Sequence, residues 1–289
     1  MTGDLDRMAR SLDGLSCGDA FGQQHFRPKP WLRERLPAGP WPWTDDTEMA
    51  CVLAAHLRRH GEVRQDDLAA EFARRHDRDR GYGPAMVLDL MPRLAAGEHW
   101  SSAAAALFEG KGSFGNGAAM RVAPLGAFFA GDPGRAAEQA TLSAEVTHAH
   151  PEAVAGAVAV ALAVGLLRDP AVKGPRTLVE RLAARLPDSQ VRGALELARD
   201  EFTARTPTLE VAARLGNGER VTAMDTVPLC LWTAAAHRGD YEEAVRAVVS
   251  AGGDLDTTAA IVGGVVAAQD GAEVPPAWLE RRERLPGWA

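Results

Sequence analysis

The chain has 289 residues, a formal net charge of −7, and 46% hydrophobic but only 6% aromatic residues. One large domain can accommodate this length, and the small aromatic fraction favours a core of packed Ala, Val and Leu side chains, as in helical proteins. The negative charge argues against a long contact with nucleic acid, because binding to many phosphates requires a basic surface.

Helical periodicity recurs along the chain, whereas no alternation of apolar and polar residues is long enough to predict a strand. We find no internal repeat and no low-complexity linker. The sequence therefore predicts an all-α fold, with residues 1–289 forming a single compact multi-helix domain. The predicted helices cover residues 5–19, 46–60, 66–76, 84–96, 101–108, 134–146, 152–168, 176–186, 190–204, 208–215, 226–238, 241–251 and 257–269.

Three segments have a composition of their own. Residues 23–43 form the longest predicted loop, and since such loops in compact domains are usually functional, we expect it to cover a site. Residues 153–167 are apolar or glycine throughout but fewer than the roughly twenty needed to cross a bilayer, so they predict a buried central helix and no membrane span. Near the end of the chain, we expect Trp278 and Trp288 to lie on the surface.

The cysteines Cys17, Cys51 and Cys230 are scattered and lack the paired spacing of a zinc site. Their odd number argues against a disulfide framework and fits a reducing compartment. Charged residues in the first turns of the N-terminus argue against a signal peptide. We therefore predict a cytoplasmic protein, and the sequence gives no indication of its oligomeric state.

Two acidic clusters, residues 44–47 and 254–258, each place two aspartates beside a hydroxyl where a helix is predicted to begin. One such cluster alone would be interpreted as a helix cap. Four carboxylates brought together repel one another unless cations neutralise them, and oxygen ligands suit magnesium or manganese better than zinc. The sequence therefore predicts a binuclear metal site of a hydrolase. The alternative is that Asp254 and Asp256 are helix caps and that Asp45 and Asp46 lie in a solvated turn.

Residues 112–117 form a glycine-rich loop before a helical segment. Glycines let backbone amides approach an anion closely, and a helix start adds a favourable dipole, although an ordinary turn is the alternative. Ser113 is not a nucleophile elbow, because Lys111 occupies the place of the first glycine. His148 is a candidate for substrate contact, with a structural role or a transition-metal ligand as alternatives.

Five segments resemble, in order, motifs of the ADP-ribosylglycohydrolase family, which includes the dinitrogenase-reductase-activating glycohydrolases. They are residues 14–22, 44–49, 112–121, 147–148 and 252–258. The resemblance implies an all-α enzyme that removes ADP-ribose from a modified target by cleaving the glycosidic bond at the distal ribose C1″. It also implies two Mg²⁺ ions, for which Mn²⁺ can substitute, and an ADP-ribosylated protein or small molecule as the partner.

The resemblance assigns roles to individual residues. The metal side comprises Thr44, Asp45, Asp46, Asp254, Asp256 and Thr257, and the four aspartates are the expected catalytic residues. The substrate side comprises Gly112, Ser113, Phe114, Gly115, Asn116, Gly117, Met120 and His148, with Tyr82 from a Gly-Tyr-Gly segment. Asp19 is expected to brace the metal site.

One departure affects the choice of general base. Many family members carry an acid shortly after the Gly-Asp-Ala motif, whereas here residues 23–26 are Gln-Gln-His-Phe and the next acid is Glu34. The general base is therefore either Glu34 or the metals and aspartates alone. A guanidine N-glycoside is the preferred linkage and a nucleobase linkage the second choice. The alternatives are a non-catalytic ADP-ribose-binding or crystallin-like structural member, and another binuclear-metal hydrolase acting on a small nucleotide.

Overall fold

A computed structural model describes residues 4–26 and 36–289. Within these ranges the chain forms sixteen α-helices, two isolated β-bridges and no strand, which confirms the predicted all-α fold. The helices are α1 (Leu5–Gln23), α2 (Asp45–His60), α3 (Gln65–Arg75), α4 (Met91–Ala95), α5 (Trp100–Gly110), α6 (Gly117–Met120), α7 (Ala123–Phe128), α8 (Pro133–Glu145), α9 (Pro151–Leu166), α10 (Pro175–Ala183), α11 (Gln190–Glu201), α12 (Thr208–Leu215), α13 (Ala223–Ala236), α14 (Tyr241–Ser250), α15 (Leu255–Ala267) and α16 (Pro276–Arg281). They share one buried hydrophobic core.

The close approach of α1 and α15 positions the site. Gly14, Gly18 and Gly22 are four residues apart and form one face of α1, and a Cβ atom at any of them would lie within 2.5 Å of a backbone oxygen of α15. At Gly22 that oxygen belongs to Leu255, the first residue of α15. The glycines thus let the end of α1 contact the beginning of α15, so two sequence-distant segments meet at one point.

The helix α9 is buried on nearly all sides, as predicted for residues 153–167. Its residues are mostly alanine and valine, and a helix that is apolar all round belongs in the interior of a protein. In the part of the chain that the structure describes, no helix is both long and apolar enough to span a membrane.

Several helix boundaries differ from the prediction. The helix α1 continues to Gln23, and α6 is the helical segment expected after the glycine loop. The short helices α7 and α16 were not predicted, because six residues are too few for periodicity to be recognised. The predicted helix over 84–96 is present, but its middle, Met86–Leu90, is π-helical and leads directly into α4.

The predicted surface position of Trp278 is wrong. Its side chain is 1% exposed, and its ring stacks on Phe21 with ring centroids 4.1 Å apart. Trp288 is partly buried in the core, with the guanidinium of Arg75 over its ring. The end of the chain therefore packs against α1 and α3 and contributes to the core.

The segment before α2 is anchored by the end of the chain. Trp41 N donates to Arg281 O at 2.6 Å, and Glu283 N donates to Trp41 O at 2.8 Å. Residues 27–35, which include Glu34, lie outside the described residues, so the covering role of the 23–43 loop stays a prediction.

Candidate active site

The two predicted acidic clusters lie side by side at helix starts. Thr44 is the N-cap of α2, and Asp254 is the N-cap position of α15. The Asp254 side chain makes no capping hydrogen bond, and its Oδ2 instead accepts from Asn116 Nδ2 at 2.8 Å. The second cluster is therefore more than a helix cap.

Three carboxylates form the centre of this acidic cluster. Oxygen atoms of Asp19, Asp46 and Asp256 lie within 4.8 Å of one another. Asp46 Oδ2 lies 3.0 Å from the hydroxyl oxygen of Thr44 and 3.4 Å from that of Thr257, whereas the buried Asp46 Oδ1 has no hydrogen-bond partner among the described residues. A buried carboxylate oxygen without a donor is costly and is suited to receive a cation.

The carboxylates destabilise one another's charged forms. Burial, followed by the charge of Asp19, raises the pKa of Asp45 to about 8. Burial, followed by the charge of Asp19, also raises the pKa of Asp46. Burial, followed by the charge of Asp254, raises the pKa of Asp256. Divalent cations would reverse these shifts by favouring the ionised forms. The oxygen-only donor set and its surplus negative charge fit hard ions such as Mg²⁺ or Mn²⁺.

Asp19 holds the start of α2 in place. Its carboxylate accepts hydrogen bonds from the backbone amides of Thr44 at 2.9 Å and Thr47 at 3.2 Å, and from both threonine hydroxyls. Burial raises its pKa to about 6, against the opposing effect of these hydrogen bonds. The brace expected from the sequence is present, and the same carboxylate also belongs to the central acidic cluster.

A cavity of about 700 Å³ lies over the acidic cluster. The predicted site residues that line it are Asp45, Asp46, Tyr82, Ser113, Phe114, Gly115, Asn116, Gly117, Met120, His148, Asp254, Asp256 and Thr257. Two predicted residues are outside this lining. Thr44 is buried behind Asp46, and Gly112 packs against the backbone of the 149–150 segment with a φ of +72°. Gly112 therefore shapes the loop and does not face the cavity.

The glycine loop is tied to the acidic cluster through Asn116. Its side-chain Nδ2 donates to Thr226 Oγ1 at 3.0 Å as well as to Asp254 Oδ2. Residue 117 begins α6, and a Cβ at Gly117 would lie 2.9 Å from the ring of His148. The loop, the histidine and the acidic cluster thus form adjoining walls of one cavity.

The cavity rim includes residues that sequence reasoning missed. Phe108 and Val221 line the cavity, are 51% and 56% exposed, and have φ angles of +52° and +54°. Positive φ is a strained conformation for such side chains, and strain of this kind concentrates at functional sites. The sequence does not indicate a positive φ at either position, because the residue that usually does so is glycine and neither residue is a glycine.

Tyr82 lines the cavity, but its hydroxyl is already engaged in a hydrogen bond within the protein. Its OH donates to Glu48 Oε1 at 2.6 Å, and the same oxygen accepts from Asp77 N at 3.0 Å. Glu48 is buried, lies in the first turn of α2, and was not singled out in the sequence. It connects the helix that carries Asp45 to the segment that forms the rim above it.

A second metal-type cluster, His56, His60 and Glu71, has a different explanation. Arg64 N donates to His56 Nε2 at 3.0 Å, so the neutral ring carries its proton on Nδ1 and donates to Glu71 Oε2 at 3.1 Å. A metal at Nδ1 would force the proton onto Nε2, where it would oppose the Arg64 amide. Arg59 also pairs with Glu71. We interpret this cluster as a hydrogen-bonded brace between α2 and α3.

The fold and the site together define a helical protein with an oxygen-only acidic centre beneath a ligand-sized cavity. The ADP-ribosylglycohydrolase family model matches residues 1–288. The chain belongs to this family.

Individual relatives resemble the chain over most of its length. ADP-ribosylhydrolase ARH3 of Homo sapiens is 30% identical over 277 residues, which cover 83% of this chain and 74% of that protein. ADP-ribosylarginine hydrolase Tri1 of Pseudomonas putida is 26% identical over 299 residues, covering 96% and 74% respectively. A solved structure described as an ADP-ribosylglycohydrolase-related protein complex matches with a TM-score of 0.62 at 27% identity, covering 96% of this chain and 93% of that one.

Proposed function

We propose that this protein is a hydrolase that removes ADP-ribose from a modified target by metal-assisted cleavage of the glycosidic bond at the distal ribose C1″. The observation that carries the proposal is the meeting of aspartates from two distant helix starts with the glycine loop around one cavity. Family membership and relatives named ADP-ribosylhydrolases support the general activity.

Two Mg²⁺ ions fit the acidic cluster. The residues that would hold them are Thr44, Asp45, Asp46, Asp254, Asp256 and Thr257, with Asp19 as a further carboxylate of the cluster. Two features support bound cations: Asp46 Oδ1 has no hydrogen-bond partner among the described residues, and the pKa of Asp45 is raised. Bound ions would supply charge neutralisation, orientation of the ribose hydroxyls and activation of a water.

The residues around the cavity would orient the carboxylates and bind the rest of the substrate. The aspartates that line the cavity would hold these ions beside the distal ribose, where an oxocarbenium-like centre develops at C1″. Asn116 holds Asp254 Oδ2 by its amide, so this carboxylate keeps one orientation. The glycine loop, at the start of α6, and His148 would contact the diphosphate, which backbone amides can approach closely. Phe108, Phe114 and Val221 offer apolar surface on which a nucleobase can stack.

The rim beside the acidic cluster would select the target. We propose a guanidine N-glycoside as the preferred linkage, with a nucleobase linkage second, on an ADP-ribosylated protein or small molecule. Residues 23–26 contain no acid, and the Tri1 relative is named an ADP-ribosylarginine hydrolase. Cytoplasmic localisation and residues 1–289 as one domain remain predictions from the sequence.

Product analysis tests this function. The protein is incubated with arginine-, serine- and guanine-linked ADP-ribose at equal concentration, with Mg²⁺, with Mn²⁺ and with excess chelator. We expect release of free ADP-ribose, fastest from arginine, supported by either ion and abolished by chelation. Undiminished release in chelator would overturn the metal site, and faster release from serine would overturn the preferred linkage. Binding of ADP-ribose without release from any substrate would establish a non-catalytic binding protein.

A further inference from the structure

Thr147 and His148 form a buried pair at the cavity wall. The Thr147 Oγ1 atom lies 2.7 Å from His148 Nδ1, and the two side chains are 0% and 5% exposed. The backbone amides of both residues donate to Ala144 O, at 3.1 Å and 2.8 Å. The backbone that carries the pair is therefore fixed, and its geometry does not depend on a flexible loop.

The direction of the hydrogen bond between them follows from the need to satisfy the threonine hydroxyl. Among the described residues, His148 Nδ1 is the hydrogen-bond partner of Thr147 Oγ1. If Nδ1 carried the proton, the fully buried hydroxyl hydrogen would have no acceptor in the part of the chain that the structure describes. Buried polar hydrogens without an acceptor are costly and rare. The hydroxyl is therefore the donor, Nδ1 is the acceptor, and the proton of the neutral ring is on Nε2.

The opposite edge of the ring faces the ligand space. His148 lines the cavity, and Cβ atoms placed on Gly115 and Gly117 would lie 3.5 Å and 2.9 Å from Nε2. In the described part of the chain, Nε2 has no protein acceptor. The Nε2 proton is thus directed to the space beside the glycine loop.

The ring is held in its neutral form by its surroundings. Burial first, and then the charge of Arg121, lowers the pKa of His148 to about 3. The Arg121 guanidinium is fully buried, where it donates to Ser143 O at 2.6 Å and lies over the ring of Phe72. Because a neutral imidazole has only one proton, its tautomer decides whether the cavity meets a donor or a lone pair.

We propose that Thr147 is a positioning residue, whose hydroxyl fixes neutral His148 in the tautomer that donates from Nε2 to an anionic oxygen of the ligand. Under the proposed function, on which this ligand assignment rests, that oxygen belongs to the diphosphate of ADP-ribose. In the other tautomer an imidazole lone pair would face the phosphate oxygen and repel it. Thr147 does not touch the ligand, but it decides whether His148, which does, acts as a hydrogen-bond donor.

The tautomer is measured directly, without ligand, by ¹⁵N NMR of histidine-labelled full-length protein. The His148 signals are assigned by their loss in His148→Gln. We expect protonated Nε2 and unprotonated Nδ1 in the native chain and in Thr147→Ser, which keeps the hydroxyl. Thr147→Val keeps the shape but removes the donor, so we expect its His148 to gain the Nδ1-protonated form. Protonated Nδ1 in the native chain, or an unchanged tautomer in Thr147→Val, would overturn the proposal.

Binding provides the second readout. We expect Thr147→Val to weaken ADP-ribose binding about tenfold in calorimetry, the value of one hydrogen bond, while Thr147→Ser stays within about twofold of the native chain. Mg²⁺ affinity should not change in either variant. Unchanged ADP-ribose affinity in Thr147→Val would overturn the role toward the ligand. If the native chain shows the expected tautomer but binds no ADP-ribose, the proposed function and the ligand assignment fail while the assignment of the tautomer stands.

Discussion

Two walls of one cavity are built on opposite physical principles. The acidic wall, formed at the starts of α2 and α15, concentrates carboxylates whose charges oppose one another. The glycine wall, residues 112–117 with His148, is neutral and closely packed, and it leaves no room for a side chain at Gly117. The first wall carries negative charges that cations would neutralise, whereas the second has no charge to balance. Changes of charge should therefore affect the first wall, and changes of volume the second.

The largest expected effect comes from removing one charge from the acidic wall. Asp46→Asn should lower turnover by at least about a hundredfold, because losing a metal ligand costs more activity than losing a residue that only hydrogen-bonds to a ligand. The same change should raise the melting temperature of the metal-free protein, since Asp46 is buried among like charges. Steady-state kinetics and thermal melts in chelator measure the two effects.

The control is Asp188→Asn, which changes the same residue type at a fully exposed position. It should leave both quantities unchanged. A destabilised metal-free Asp46→Asn protein would show that the acidic wall is not under electrostatic strain.

The second prediction concerns pH. The raised pKa values of Asp45 and Asp46 mean that the folded state holds protons that the unfolded state releases above its pKa of about 4. The stability of the metal-free protein should therefore fall, through these groups, as pH rises from about 4 towards 8. Histidines with lowered pKa values, such as His148, have the opposite effect, because their contribution to stability rises between about pH 3 and 6.5.

The test therefore compares the melting temperatures of Asp46→Asn and the native chain, because the histidines contribute equally to both proteins. In chelator, the melting temperature of Asp46→Asn minus that of the native chain should grow from pH 5 to pH 8. Saturating Mg²⁺ should raise the melting temperature of the native chain more at pH 8 than at pH 5. A difference that is constant with pH would contradict the assigned carboxyl shifts.

The third prediction changes volume in the glycine wall. Gly117→Ala places a Cβ 2.9 Å from the His148 ring, so either the ring or the loop must move. We expect ADP-ribose affinity to fall about tenfold, corresponding to one lost hydrogen bond, with Mg²⁺ affinity unchanged. Titration calorimetry with each ligand measures this. Gly131→Ala is the matched control, because a Cβ there meets nothing within 4 Å. A parallel loss of Mg²⁺ affinity in Gly117→Ala would show that the two walls are not independent.

The smallest effect is expected at the rim, where Glu48 connects the acidic wall to Tyr82. Glu48→Gln keeps the shape but weakens the acceptor for Tyr82 OH and Asp77 N, at a cost of roughly 1 kcal/mol. We expect KM for the complete ADP-ribosylated substrate to rise a few-fold, with little change in affinity for free ADP-ribose. Tyr82→Phe, which removes the same hydrogen bond from the other side, should behave alike. A large loss of kcat in Glu48→Gln would instead place Glu48 in the chemistry.

The sequence by itself determined the helical class and the two ingredients of the site. Helical periodicity repeats over many residues, and the motifs around Asp45, Asp254 and Gly115 are local runs whose residue types have a chemical meaning wherever they fold. The bonds that join those ingredients came only from tertiary structure. The amide of Asn116 reaches Asp254 across 138 positions of the chain, and no local pattern encodes such a pair.

The same reason explains what the sequence missed or misplaced. Trp278 is buried because α16 packs on α1, and Val221 has a positive φ without a glycine to signal it. In the sequence Glu48 is an ordinary first-turn acid, and only the fold places the hydroxyl of Tyr82 against it. Propensity and periodicity act over a few residues, whereas these features depend on segments that meet only after the helices have packed. The residue types of the candidate site could therefore be recognised in the sequence, but the orientation of its side chains was decided by the fold.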